Sequence, residues 1–392
     1  MKIVDLCEFY SERGGGVRSY LDKMLKAAHG TEHEVIVVAP GPEDSVITEG
    51  QGTIRRFAAP PMPYDPTYRM PWRLDRMRSI VKELKPDVLQ VSSPFAPAWV
   101  AATISDVPLK TYVYHSDPIG CYVTRAARWV RLAPVSDLMH GVSWGYLRRI
   151  CNSFDATLVA GKWLAELLLS KGCERVHTVP FGIDHADFGP ERRDAVLRER
   201  LLGPFASRPG AQLALIGGRL ASDKRQSLLL SAMKLVNEKR PVAVVLLGDG
   251  PERERLEAMG RTLPAFSSLL FTKNRAEYAA LLASVDVVLQ GSMCETFGFF
   301  PSEALASGVP LVVPDQGGAA FLGDPSCVVQ YPSFGGASAV AAAIENILQR
   351  PRKDLQLGAI QAAHAIPESR EHYQNLFRFY EEQLLQVASK KS

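Results

Sequence analysis

Glu295 and Glu303 are two carboxylates with seven residues between them, in Gly291-Ser-Met-Cys-Glu-Thr-Phe-Gly-Phe-Phe-Pro-Ser-Glu-Ala-Leu-Ala-Ser-Gly308. The run Asp286-Val-Val-Leu-Gln290 ahead of them predicts a buried parallel strand. Gly298 permits close backbone approach, and Pro301 suits the first turn of a helix that Gly308 stops. The amides of Phe297, Gly298, Phe299 and Phe300 then lack helical partners and face whatever lies beyond the strand's C-terminal end. Amides donate to phosphate or hydroxyl oxygens and carboxylates accept from hydroxyls, so the segment suits an oxygen-rich ligand. A sugar nucleotide offers both kinds of oxygen.

Other chemistry-bearing residues also sit at strand ends. Arg219 and Lys224 lie in Leu215-Ile-Gly-Gly-Arg-Leu-Ala-Ser-Asp-Lys-Arg225, after Gly218, and two fixed cations there can stabilise the charge that grows on a departing pyrophosphate. Leu246-Leu-Gly-Asp-Gly-Pro-Glu252 places Gly248 at the end of the next strand. Nearer the N-terminus, Gly14-Gly-Gly-Val-Arg-Ser-Tyr20 lets the backbone at Gly15 and Gly16 approach an anion, without being a Gly-x-Gly-x-x-Gly fingerprint. His115 and Asp117 close another strand in Tyr112-Val-Tyr-His-Ser-Asp-Pro118. His29 and His33 have i,i+4 spacing, but Gly30 and Thr31 between them indicate a turn rather than one helical face. With no Asp-x-Asp to hold a metal on a pyrophosphate, no metal or other cofactor is expected, and Arg219 and Lys224 take over that charge.

The elements that must position these residues alternate between strand and helix patterns. Strands are expected at Lys2 to Leu6, Glu34 to Val38, Asp87 to Val91, Thr111 to Tyr114, Ala156 to Val159 and Val176 to Val179, with helical segments such as Val17 to Ala28 and Trp72 to Glu83. The order restarts after Pro190, with strands at Leu213 to Ile216, Val242 to Leu247, Leu269 to Phe271, Val285 to Leu289 and Leu311 to Val313. The expectation is α/β, as two doubly wound domains: 1–190, then 191–367 beginning with a charged linker helix around Glu191 to Leu202. A closing segment, 368–392, has Tyr373, Leu376, Phe377, Tyr380 and Leu384 at helical spacing.

The Glu-x7-Glu segment, continued by Val309-Pro-Leu-Val-Val-Pro-Asp-Gln-Gly-Gly318, resembles the signature of the retaining glycosyltransferases of family 4. Gly-Arg-Leu-x-x-x-Lys at 218–224, Gly-x-Gly-Pro at 248–251, the Gly-Gly turn near residue 15 and His115 extend the resemblance over nearly the whole chain. It is most specific in residues 213–318. The resemblance implies the GT-B architecture, two Rossmann-like domains facing across a cleft, with the first binding the acceptor, the second the nucleotide sugar, and the terminal helix crossing back to the first. It implies metal-independent transfer of a hexose from a UDP- or GDP-linked donor to an acceptor hydroxyl, with retention and an α-glycosidic product. Arg219 and Lys224 would hold the pyrophosphate, Glu303 the ribose hydroxyls, and Glu295 with the amides from Phe297 to Phe299 the sugar. His115 would face the donor sugar, Gly15, Gly16, Gly218 and Gly248 would line the donor site, and Asp117 would touch the acceptor. A double displacement needs a carboxylate on the opposite ring face, which nothing in the sequence identifies, and front-face attack assisted by the leaving phosphate is what the resemblance favours. Phe271-Thr-Lys-Asn274 stands where many members have a Gly-containing turn near the base, leaving uracil versus guanine open. A 2-epimerase of the same architecture and a non-catalytic sugar-nucleotide sensor are the competing classes.

Composition bounds these readings. The 392 residues exceed one core, and a formal charge of +3 is too small to indicate nucleic acid. Cysteines at 7, 121, 151, 173, 294 and 327 show no Cys-x-x-Cys spacing and read as buried thiols. Acids in Met1-Lys-Ile-Val-Asp-Leu-Cys-Glu8 argue against a signal peptide, and no run reaches the ~20 apolar residues of a membrane span, so a cytoplasmic protein is expected. From Asp117 to Asn152, Arg125, Arg128, Trp129, Arg131, Trp144, Tyr146, Arg148 and Arg149 accumulate with little acid. Basic residues beside aromatics suit a lipid-linked or phosphorylated acceptor and attachment to an anionic membrane face, with Arg125 and Arg128 as acceptor-side candidates. The other reading is an amphipathic helix pair with Trp in the core and Arg solvated.

Overall fold

The computed structural model describes residues 1–11, 15–63, 65–115, 117–123 and 133–391. The chain divides into two compact units, Met1–Phe181 with Ser369–Ser392, and Gly182–Glu368.

In the first unit the strands are β1 (Lys2–Leu6), β2 (Glu34–Gly41), β3 (Ser45–Glu49), β4 (Gly52–Ala58), β5 (Pro61–Met62), β6 (Asp65–Arg69), β7 (Val88–Val91), β8 (Leu109–Val113), β9 (Ala156–Val159) and β10 (Val176–Thr178). Eight of them form one sheet, β10-β9-β8-β7-β1-β2-β4-β3, while β5 and β6 pair separately. Every pairing in the large sheet is parallel except β3 with β4. The helices are α1 (Gly16–Ala27), α2 (Leu74–Leu84), α3 (Ala96–Ala102), α4 (Ala133–Cys151) and α5 (Lys162–Ser170). Parallel strands need such crossovers and are covered on both faces, which is why β7 and β9 are buried at every position. The β3–β4 ribbon went unread in the sequence because β3, a largely exposed edge strand, lacks the apolar run that marked the others. The strand order reverses at β1, which lies between β2 and β7.

The second unit has β11 (Gln212–Gly217), β12 (Val242–Leu247), β13 (Phe266–Leu269), β14 (Val287–Leu289), β15 (Leu311–Pro314) and β16 (Val328–Tyr331), in the order β13-β12-β11-β14-β15-β16 and all parallel. Counted from β11 this is the doubly wound order 3-2-1-4-5-6, whose switch point lies between β11 and β14. Its helices are α6 (Ala195–Leu202), α7 (Gln226–Asn237), α8 (Arg253–Gly260), α9 (Arg275–Ser284), α10 (Phe299–Ala306), α11 (Gly336–Leu348) and α12 (Arg352–His364). Two apolar clusters cover the two faces of this sheet.

Two local readings change. The strand expected at Leu269 to Phe271 ends at Leu269, and Leu270 and Phe271 are exposed loop residues, because apolar character alone does not distinguish a strand from the turn that follows it. The charged segment at Glu191 to Leu202 becomes α6 only from Ala195, where the Asp194 carboxylate accepts from the Leu197 amide at 2.9 Å, and Leu201 and Leu202 enter the second unit's core. The last helix, α13 (Ser369–Lys391), belongs to the first unit and buries Tyr373, Leu376, Phe377 and Tyr380.

Candidate active site

At the switch point of the second unit, the loops after β11 and β14 bring residues far apart in sequence together. Lys224 Nζ donates to Glu295 Oε1, and Gln290 Nε2 lies 3.5 Å from the same oxygen. Arg219 is held beside Asp223, with Nη2 3.4 Å from Oδ1, and its carbonyl accepts from Gln226 Nε2 at 2.9 Å. Glu295 is fixed through its backbone as well, because the amide of Gly318 donates to its carbonyl at 2.5 Å. The Gly-Gly pair after β15 therefore braces the first glutamate. A Cβ on Gly317 or Gly318 would fall 2.8 Å from the Met293 carbonyl oxygen or 2.6 Å from that of Thr296.

Gly298 forms the N-cap of α10 with φ +95° and ψ 73°, a left-handed conformation that glycine adopts without steric cost. This turn starts the helix, and Glu303 follows on its buried side. Tyr278 OH donates to Glu303 Oε2 at 2.7 Å, and Arg275 Nη1 donates to Oε1 at 3.3 Å. Burial, with the Glu303 charge beside it, pushes the Tyr278 phenol well above its usual range and keeps it a donor. Arg275 is itself placed by Asp187, 2.9 Å from its Nε, and by the Phe188 ring 4.8 Å away. Sequence reasoning missed Arg275 and Tyr278. Their only signal is their i,i+3 placement after Asn274, which caps α9, and that spacing does not say which carboxylate they meet.

In the first unit, His115 and Ser92 meet at the C-terminal ends of β8 and β7, with His115 Nε2 3.1 Å from Ser92 Oγ. Ser92 Oγ in turn donates to Asp5 Oδ2 at 2.7 Å. Burial, then the neighbouring His372, pushes the His115 imidazole down to about 3, so the ring is neutral. Glu8, at the end of β1, accepts from Ser93 Oγ at 2.7 Å, and burial pushes its carboxyl up to about 7. Asp117 serves the chain locally: its Oδ1 accepts from the Ile119 amide at 3.1 Å and from Tyr114 OH at 3.3 Å. Gly15 caps α1, and Gly16 opens it.

Of the basic and aromatic stretch, Arg125, Arg128, Trp129 and Arg131 lie outside the described residues, as does Gly14. Trp144 packs against the core beneath Lys171, whose Nζ sits 5.3 Å above the ring. Tyr146 accepts from Trp99 Nε1 at 2.8 Å and donates to the Pro94 carbonyl. These two aromatics are structural, and Arg148 and Arg149 are exposed. His29 Nε2 lies 2.7 Å from the Glu49 carbonyl, and among the described residues no cluster of three or more His, Cys, Asp or Glu could hold a metal.

Two family models match the chain, Glycosyltransferase Family 4 over residues 14–187 and Glycosyl transferases group 1 over residues 199–361. A GDP-mannose-dependent alpha-(1-6)-phosphatidylinositol dimannoside mannosyltransferase of Mycobacterium tuberculosis is 27% identical over 362 residues, 90% of this chain and 89% of that protein. A sulfoquinovosyl transferase of Arabidopsis thaliana is 28% identical over 295 residues, 71% of this chain and 54% of that protein. Among solved structures, a sucrose-phosphate synthase from Thermosynechococcus elongatus superposes with a TM-score of 0.76 at 17% identity, covering 98% of this chain and all of that one.

Proposed function

The chain belongs to glycosyltransferase family 4 and has the GT-B fold, and from that premise we propose that it transfers mannose from GDP-mannose to a hydroxyl of a glycosylated membrane lipid. As a hexosyltransferase it forms α-glycosidic bonds. The observation that carries the reading is the convergence of Arg219, Lys224 and Glu295 at the switch point of the second unit, where ligands of doubly wound sheets bind. A diphosphate arriving there competes with Glu295 for Lys224. The two cations then neutralise the leaving group, and the released carboxylate accepts from sugar hydroxyls. Glu303, oriented by Tyr278 and Arg275, keeps further lone pairs for ribose hydroxyls. The name of the mycobacterial relative supports both the guanine nucleotide and the lipid acceptor.

Thermal shift separates donors, because a ligand at a hundred times its Kd stabilises the folded state by about 2.7 kcal/mol. GDP and GDP-mannose should raise the melting temperature, and labelled mannose should then appear in the lipid fraction. A shift with UDP-glucose and none with GDP-mannose overturns the donor. Product mass distinguishes transfer from 2-epimerisation, which leaves the donor mass unchanged. Turnover should also survive excess chelator; strict dependence on magnesium or manganese would remove Arg219 and Lys224 from the leaving-group role.

A membrane face for the acceptor is supported by α4. Val135, Leu138 and Val142 recur at i, i+3, i+7 and are exposed, the last two at 65% and 64%. Trp99, 56% exposed, stacks on Tyr146 beside them, and Arg148 and Arg149 are exposed near the helix end. Such an apolar stripe with adjoining arginines suits an anionic lipid surface. No helix among the described residues is long and apolar enough to cross a membrane.

A further inference from the structure

At the end of the second unit's sheet opposite the switch point, the strands begin around a cavity of about 240 Å³. Gln212 opens β11 there, and Asp286 and Pro310 precede β14 and β15. The six residues of β11 rise about 3.3 Å each, so this cavity lies roughly 17 Å from the loops that carry Arg219 and Glu295. Three arginines line it: Arg198 from α6, and Arg350 and Arg352 on either side of Pro351 where α12 starts. Among the described residues its one acidic lining residue is Asp286.

Arg198 and Asp286 already satisfy each other. Arg198 Nη2 donates to Asp286 Oδ2 at 2.6 Å and Nη1 to the Ser284 carbonyl at 2.8 Å, and both side chains are largely buried. The Leu213 amide donates to the same carboxylate at 2.8 Å. That pair explains itself as structure; the other two arginines have no acid of their own. Arg350 donates to the Pro325 carbonyl at 2.5 Å and to Asn346 Oδ1 at 2.6 Å, both neutral groups. Arg352, half-exposed, shares Asp286 through Nη1 at 3.1 Å, and among the described residues its Nε and Nη2 meet no acceptor. Three guanidiniums against one carboxylate leave a surplus of two positive charges around a concave space, where charge of one sign attracts its opposite more strongly than on an open surface. The start of α12 adds donors of the same kind. The Asp354 and Leu355 amides turn back to the Pro351 carbonyl, whereas those of Arg352 and Lys353 stand in the first turn without an intrahelical acceptor. The rest of the lining is apolar, with Val285, Leu348 and Leu355.

We propose that this cavity is a second ligand site, separate from the switch point, that takes a phosphate monoester, with the dianion against Arg352 and Arg350 at the start of α12 and the organic part against Leu348 and Leu355. The two surplus charges match a dianion, and a guanidinium fork with open donors suits phosphate oxygens in pairs. A sugar phosphate and a nucleoside monophosphate both present this chemistry. The site does not rest on the glycosyl-transfer reading, since none of its residues belongs to the switch-point cluster.

The test is calorimetry on the full-length protein with mannose 6-phosphate, GMP and inorganic phosphate, in the wild type and in Arg219→Gln with Lys224→Gln, which removes the switch-point cations. At least one of the two esters should bind ten times more tightly than inorganic phosphate and keep that affinity in the double variant; which ester does so identifies the source. Arg352→Gln should weaken it at least tenfold while GDP binding is unchanged. Ala211→Glu keeps all three arginines and adds a carboxylate to the lining, so it should weaken the ester equally and decides the matter if Arg352→Gln misfolds. No ester binding above that of inorganic phosphate overturns the proposal. So does binding that disappears with Arg219 and Lys224 but survives Arg352→Gln and Ala211→Glu, since the phosphate would then be held at the switch point. Neither result depends on which sugar nucleotide, if any, the protein turns over.

Discussion

At the scale of single residues, the two glutamates of the signature have different neighbours and so different expected roles. Glu303 is clamped by Tyr278 and Arg275, whereas Glu295 is paired with Lys224, a partner that a diphosphate can displace. Glu303→Ala should therefore weaken binding of GDP itself by about 1–3 kcal/mol, the loss of a charged hydrogen bond. Tyr278→Phe should do the same to a smaller extent by freeing the carboxylate. Glu295→Ala should chiefly reduce transfer. Calorimetry with GDP decides, and equal losses for both glutamates would abolish the distinction. Buried titratable groups of the first unit give a second prediction. Burial raises Asp5 and Glu8 to about 7 and lowers His115 and His372 to about 3 and about 4. A raised carboxyl binds its proton in the folded state first, so between the usual carboxylate value and 7 its contribution falls as pH rises. A lowered histidine contributes stability that rises with pH up to its ordinary value near 6.5. Asp5→Asn removes one falling contribution. Relative to wild type, its stability should climb more steeply from pH 5 to 6.5, by on the order of 1.4 kcal/mol per pH unit, as read by urea denaturation. Parallel profiles would show that Asp5 is already ionised in the folded protein at pH 5.

At the scale of elements, the proposed donor site rests on the turn that starts α10. Gly298 is left-handed there, and a Cβ on it would sit 2.8 Å from Pro301 Cγ. Gly298→Ala should cost about 1–3 kcal/mol through backbone strain and reduce transfer, because the amides from Phe297 to Phe300 would be re-aimed. Thermal melts and turnover measured together test this, and a variant matching wild type in both would mean that the turn re-forms without a left-handed residue. The apolar face of α4 belongs to this scale too, since one helix presents both the aliphatic stripe and the arginines.

For the whole molecule, the proposed membrane role of that face predicts recruitment. Sedimentation with anionic vesicles should pull the protein down at low salt and release it at high salt, each engaged arginine contributing on the order of 1 kcal/mol. Leu138→Ser with Val142→Ser, and separately Arg148→Ala with Arg149→Ala, should each weaken the association, leaving neutral vesicles a poor ligand. Equal binding to neutral and anionic vesicles, or none to either, would favour a soluble acceptor. Within the first unit, α13 ties the chain's far end back to the first sheet, where Tyr380 OH donates to Gln90 of β7 across 290 positions.

The sequence alone determined most of what is periodic or local. Parallel strands buried on both faces are continuous apolar runs, so β1, β9 and β12 were legible to the residue, and the turn at Gly298 and the helix after it could be read from glycine and proline. The Glu295 and Glu303 pair was legible because its chemistry and spacing lie in one continuous segment. An exposed edge strand such as β3 was not, and for Trp144 and Tyr146 the sequence left two readings open, core packing or a membrane-facing surface, of which the structure has the first, because which face of a helix is covered depends on what packs there. Only the tertiary structure decided the partners: Lys224 with Glu295 across 71 residues, Tyr278 with Glu303, and the path from Tyr380 through Asp5 to His115 across 290 and 85 residues. Such contacts arise because parallel sheets gather the C-terminal ends of strands distant in sequence onto one edge. No spacing rule along the chain encodes which side chains that edge brings within hydrogen-bonding distance.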